Sequence, residues 1–130
     1  MTHFQNRTVA IFDDDEDILA ICSYILTELG WTVHAFNDCN DILNKLAGVR
    51  PGVIFMDNWI PDEGGIVATR ALKGSADFRD TPVVYFSANS DIEILAQHAG
   101  ADAYLAKPFD IDALEKMIAK VQRIDIAGLG

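Results

Sequence analysis

Five side chains in this sequence could do chemistry together: Asp13, Asp14, Asp57, Ser87 and Lys107. Asp57 ends the stretch Gly52-Val53-Ile54-Phe55-Met56-Asp57, in which apolar or small residues run unbroken into one carboxylate. Asp13 and Asp14 follow the apolar run Val9-Ala10-Ile11-Phe12. Ser87 follows Pro82-Val83-Val84-Tyr85-Phe86, and Lys107 follows Ala103-Tyr104-Leu105-Ala106. Three carboxylates pressed together are unfavourable unless a cation relieves them or a pKa rises. A hard divalent cation, Mg2+ above all, suits such an oxygen set, keeps several waters and often bridges to a phosphate. An ammonium and a hydroxyl beside that cation are the groups expected around a transferring phosphoryl group, where catalysis is chiefly positioning and charge neutralisation.

Each of these residues also has an ordinary use. A lone Asp at a strand end commonly forms a turn or caps a helix, and Asp13 or Asp14 could cap the helix that follows them. Ser87 could satisfy a local backbone group, and lysines mostly lie on the surface. What favours chemistry is their shared placement, each where an apolar run ends.

The elements that must position them can be read from periodicity. Short apolar runs without polar alternation suit strands buried on both faces, as in a parallel sheet covered by helices above and below. Strands are expected at Arg7–Phe12, Trp31–Phe36, Gly52–Asp57, Pro82–Phe86 and Ala103–Ala106. Between them lie helical patterns. The first carries Ile18, Ile21, Cys22, Ile25, Leu26 and Leu29 on one stripe, with acids in its first turn that complement the helix dipole and Gly30 as its stop. Asp15 is read as that helix's cap. The second spans Asp38–Ala47 with Ile42, Leu43 and Leu46 inward, the third Ile66–Lys73, and the fourth Asp91–His98 with Ser90 as a candidate cap. The fifth is marked by Ile111, Leu114, Met117, Ile118 and Val121. Five strand–helix units in alternation give an α/β, doubly wound, five-stranded parallel sheet. All strands of such a sheet share one carboxyl edge, where ligands bind, so the five candidate residues can meet there.

The remaining features set bounds. At 130 residues the chain fits one domain, with residues 6–123 as its core and the Gly-rich tail 124–130 (IDIAGLG) expected to fray. No apolar run approaches the about 18 residues needed to span a bilayer, and the N-terminus lacks a secretion signal, so a cytoplasmic location without membrane attachment is the default. Cys22 and Cys39, the first on an apolar helix stripe and the second in a polar turn region, read as free thiols. Twenty acidic against ten basic residues give a formal charge of −10, which disfavours direct nucleic-acid binding.

The motifs VAIFDDDEDIL, GVIFMDNWIPDEGG, VVYFSA and AYLAKPF, in this order and spacing, resemble the receiver domain of two-component response regulators over about residues 6–123. The resemblance implies a flavodoxin-like (βα)5 fold with strand order 2-1-3-4-5. It implies Asp57 as phosphoacceptor, with Mg2+ held by Asp13, Asp14, Asp57 and the main-chain carbonyl of Trp59. Ser87 and Lys107 would contact the phosphoryl group, Tyr104 would be the aromatic switch residue, and the Lys107–Pro108 bond would be cis. Implied partners are a histidine kinase or histidine phosphotransfer protein, a downstream target or effector domain, and a second copy in a phosphorylation-dependent homodimer. The domain would assist its own phosphotransfer and dephosphorylation without acting on an outside substrate.

Three alternatives stand beside this one. A haloacid dehalogenase-type phosphohydrolase also pairs an Asp nucleophile with Mg2+, but Asp17 stands where its motif needs Thr or Val. A flavodoxin-like carrier lacks its phosphate loop here, and five acids after the first strand would repel a flavin phosphate. A receiver-like interaction module that works without phosphorylation is the third.

Overall fold

An apolar run is satisfied only when both of its faces are covered, and three strands meet this condition. The computed structural model describes residues 6–57, 64–107 and 109–129. Strands β1 (Thr8–Phe12), β3 (Val53–Asp57) and β4 (Val83–Ser87) are buried almost throughout, whereas β2 (Thr32–Phe36) and β5 (Ala103–Ala106) have exposed positions. The order is β2-β1-β3-β4-β5, every pair parallel, so the half-exposed strands are the two edges. The expected fold class and strand order are both found.

Helices α1 (Glu16–Glu28) and α5 (Ile111–Leu129) cover one face, and α2 (Ile42–Val49), α3 (Gly64–Lys73) and α4 (Ile92–Ala99) belong to the other. Alternation along the strands sorts the core accordingly. Val9, Ile11, Val53, Phe55, Val84 and Phe86 pack with Leu19, Cys22 and Leu26 of α1 and Leu114, Ile118 and Val121 of α5. Ala10, Phe12, Ile54, Met56, Val83 and Tyr85 pack with α2, α3 and α4.

Several sequence expectations shift. The second helix begins at Ile42 rather than Asp38, because the Asp38 carboxylate accepts the Asn40 N–H in a turn and Asp41 is left-handed at φ 56°. Leu43 is exposed, as is Ile21 of α1, while Leu19 is buried in Ile21's stead. Ser90 does not cap α4; Asp91 holds that position, without a side-chain hydrogen bond to the helix. Cys39 is buried against Met56 rather than lying in a solvated turn. The segment expected to fray continues α5 as far as Leu129. Once a helix is nucleated each further residue adds a bond, and nothing before Gly128 breaks the pattern.

Candidate active site

In chain order the path runs from β1 out to β2 and returns past β1 to β3, so the direction in which strands are added reverses between β1 and β3, the kind of point where a crevice opens at the carboxyl edge. Asp13 follows β1 directly and Asp57 is the last residue of β3. Ser87 ends β4, and Lys107 follows β5. The edge is held level by the main chain: the Asp13 N–H donates to the Phe36 carbonyl at 3.1 Å, and the Lys107 N–H to the Ser87 carbonyl at 2.9 Å.

The centre of the site is an ammonium between two buried carboxylates. Lys107 Nζ lies 2.7 Å from Asp13 Oδ2 and 2.9 Å from Asp57 Oδ1. Asp13 is 0% exposed and Asp57 3%. The same nitrogen stands 4.6 Å from the centroid of the Phe86 ring, a cation–π contact in a desolvated place. Burial alone would push the Lys107 pKa down; hydrogen bonds and charge from Asp13 and Asp57 outweigh it and raise the pKa above the ordinary lysine value.

Asp13 is fixed from its other side as well, because Asp13 Oδ1 accepts the Asp15 N–H at 2.9 Å. Asp15 turns away from the cluster and caps α1, accepting from the N–H groups of Asp17 and Ile18. Its capping role is therefore found. Asp14 is exposed, yet an oxygen from each of Asp13, Asp14 and Asp57 can be chosen so that all three lie within 4.8 Å of one another. Three carboxylate oxygens at that spacing, open to water on the Asp14 side, fit a hard octahedral cation such as Mg2+. Trp59, expected to add its carbonyl, and Pro108 of the expected cis bond lie outside the described residues.

Ser87 is 2% exposed, and its Oγ accepts the Asn89 N–H at 3.0 Å, which leaves its O–H proton available to donate. Tyr104 is 42% exposed on the edge strand, level with Tyr85 of β4. Beside Lys107 an apolar pocket of about 350 Å3 is lined by Ile18, Ile21, Cys22, Ala88 and Phe109. The Cys22 thiol there is pushed up to about 11, first by burial and then by the Asp13 charge, with Lys107 partly opposing; it is a packing group and no nucleophile at neutral pH.

Sequence reasoning missed Phe86, Gly65 and Tyr85 as parts of this region. The Tyr85 phenol is pushed up to about 12, mainly by burial and then by the Asp57 charge. A phenol inside a fully buried strand was the available signal, because its hydroxyl must find a partner.

Residues 9–119 match the response regulator receiver domain. The chain belongs to this family. Among curated relatives of this receiver chain, the DNA-binding transcriptional regulator NtrC of Proteus hauseri is 32% identical over 89% of the chain, which spans 24% of that protein. The response regulator protein GraR of Staphylococcus saprophyticus is 29% identical over 89% of the chain and 50% of its own length. The chain thus covers half or less of these relatives. Among solved structures, the receiver domain of a Pseudomonas aeruginosa sensor histidine kinase, with a magnesium ion coordinated in its active-site cleft, superposes with a TM-score of 0.80. It is 27% identical, and the match covers 93% of this chain and 98% of that one. A chemotaxis response regulator of Vibrio cholerae gives a TM-score of 0.82 at 25% identity, over 90% of this chain and 99% of its own.

Proposed function

We propose that Asp57 accepts a phosphoryl group from a partner's phosphohistidine. The observation that carries this reading is Lys107 Nζ held between Asp57 and Asp13, with the Ser87 hydroxyl at the same edge. An Asp57 carboxylate oxygen forms a bond to phosphorus as the phosphorus–nitrogen bond breaks, and the electron pair returns to the imidazole of the donor. Lys107 and the Ser87 O–H are placed to meet the phosphoryl oxygens. Asp13, Asp14 and Asp57 would hold Mg2+, as the Pseudomonas receiver domain holds it in its cleft; bound there, the ion would neutralise charge on the phosphoryl oxygens.

The product is an acyl phosphate, and the same site assists its hydrolysis by water. Drawing Ser87 and Lys107 toward the phosphoryl group biases β4 and β5, with Tyr104 turning inward as Ser87 moves. Ile94 of α4, Tyr104 of β5 and Ile111 of α5 are exposed large side chains on the elements that would present the changed surface. The partners are a histidine kinase or histidine phosphotransfer protein as donor, and a target protein, an effector domain or a second copy as reader. The formal charge of −10 opposes direct contact with nucleic acid. Among the described residues no helix is long and apolar enough to cross a membrane. The buried thiols of Cys22 and Cys39, neither of them in a disulfide, suit work in the cytoplasm.

The test is intact mass after incubation with acetyl phosphate and Mg2+, beside Asp57→Asn. Gain of one phosphoryl group by the wild type alone is expected. No gain in either protein at saturating Mg2+ would leave a receiver that works without phosphorylation.

A further inference from the structure

Tyr85 heads the fully buried side chains of the core by volume, with no exposed surface. A buried phenol carries a hydroxyl that must be hydrogen-bonded. Tyr85 precedes Ser87 by two residues along β4, so both side chains leave the same face of the sheet. Across the ladder it is level with Met56, the residue before Asp57.

Its hydroxyl reaches the first turn of α3. Gly65 packs so closely there that a methyl group on it would overlap the Asp57 carbonyl oxygen and lie 3.1 Å from Tyr85 Oη. The main chain of Asp57, the start of α3 and the hydroxyl of the Ser87-bearing strand therefore meet at one place. The first N–H groups of a helix have no partners inside it, and a carbonyl has two lone pairs, so the main chain beside that hydroxyl, at Asp57 and Gly65, has hydrogen-bonding capacity to offer it.

We propose that Tyr85 is a positioning residue for the acceptor: its hydroxyl holds the main chain at Asp57 against the first turn of α3, and so sets the Asp57 carboxylate in register with the Ser87 hydroxyl. This rests on the reading of Asp57 as phosphoacceptor. Reaction rates respond strongly to displacements of about 1 Å between reacting groups. The ring alone fills the core, whereas the hydroxyl fixes the register.

The test is Tyr85→Phe, which keeps the ring and removes only the oxygen, compared with wild type and Asp57→Asn. The protein is phosphorylated with acetyl phosphate and Mg2+, and hydrolysis of the acyl phosphate is followed by intact mass over a range of Mg2+ concentrations. The expected result is a hydrolysis rate constant at saturating Mg2+ changed threefold or more, with half-saturation by Mg2+ within twofold of wild type. A rate constant within threefold of wild type, or one restored by raising Mg2+, would overturn the proposal. Were the variant not to fold, the wild type decides. It has three tyrosines, so Tyr24→Phe and Tyr104→Phe assign the Tyr85 ring-carbon Cζ resonance by elimination. Movement of that resonance on phosphorylation supports the proposal, and an unmoved resonance overturns it. Absence of any mass gain in wild type removes the acceptor reading and this inference with it; a gain in wild type with unchanged Tyr85→Phe kinetics removes the inference alone.

Discussion

Lys107 is what lets two buried carboxylates face each other at the end of the sheet. Its ammonium touches both Asp13 and Asp57 and is itself only 16% exposed in its side chain. Breaking a buried ion pair from one side leaves an uncompensated charge and typically costs about 3–5 kcal/mol. Lys107→Met in a chelator is therefore expected to lose about that much in urea unfolding at pH 8, and to recover part of it when Mg2+ is added. The pH dependence follows from the direction of the shift. An amine whose folded pKa is raised gives stability that is complete below its unfolded value, 10.5, and lost as pH climbs through the folded value. The wild type's advantage over Lys107→Met should stay level from neutral pH up to 10.5 and shrink above it. Equal stability of the two proteins at pH 8 would show that the bridge contributes nothing net.

At the scale of elements, Asp15 separates two uses of an acid in one run. Its carboxylate accepts two N–H groups of α1, while its neighbours Asp13 and Asp14 supply the cluster of oxygens. Asp15→Ala is expected to cost about 1 kcal/mol in thermal unfolding and to leave Mg2+ affinity within twofold; a tenfold weaker affinity would make Asp15 a metal ligand. The run Asp13-Asp14-Asp15-Glu16-Asp17 was legible in this way because capping obeys a local rule. The strands were legible because β3 and β4 are buried at every position, and such strands read as unbroken apolar runs. Local rules failed where the third dimension decides. The apolar stripe of α1 is wider than the face it buries, which leaves Ile21 outside and takes Leu19 in. Cys39 has polar neighbours in sequence but folds under α2 against Met56. Tyr85 read as a strand filler, since a two-residue period gives its face and not the loop end its hydroxyl meets.

For the molecule as a whole, a formal charge of −10 raises the question of what kind of cation effect Mg2+ would have. Excess like charge weakens a compact state through self-repulsion, so any salt stabilises it somewhat by screening, with a Debye length of about 10 Å at 0.1 M. Site binding predicts a different dependence. An ion that binds only the folded chain adds about 2.7 kcal/mol at a hundred times its dissociation constant, and for a chain of this size that is a rise of about 10 °C in Tm. The rise should follow the logarithm of Mg2+ concentration, persist against a background of NaCl at matched ionic strength, and vanish in Asp13→Asn. That variant differs from wild type by one charge in the total but loses a buried carboxylate whose oxygens also hold Lys107 and the Asp15 N–H. A Tm that climbs equally with NaCl, or equally in Asp13→Asn, would place the effect in overall screening and take Mg2+ out of the site.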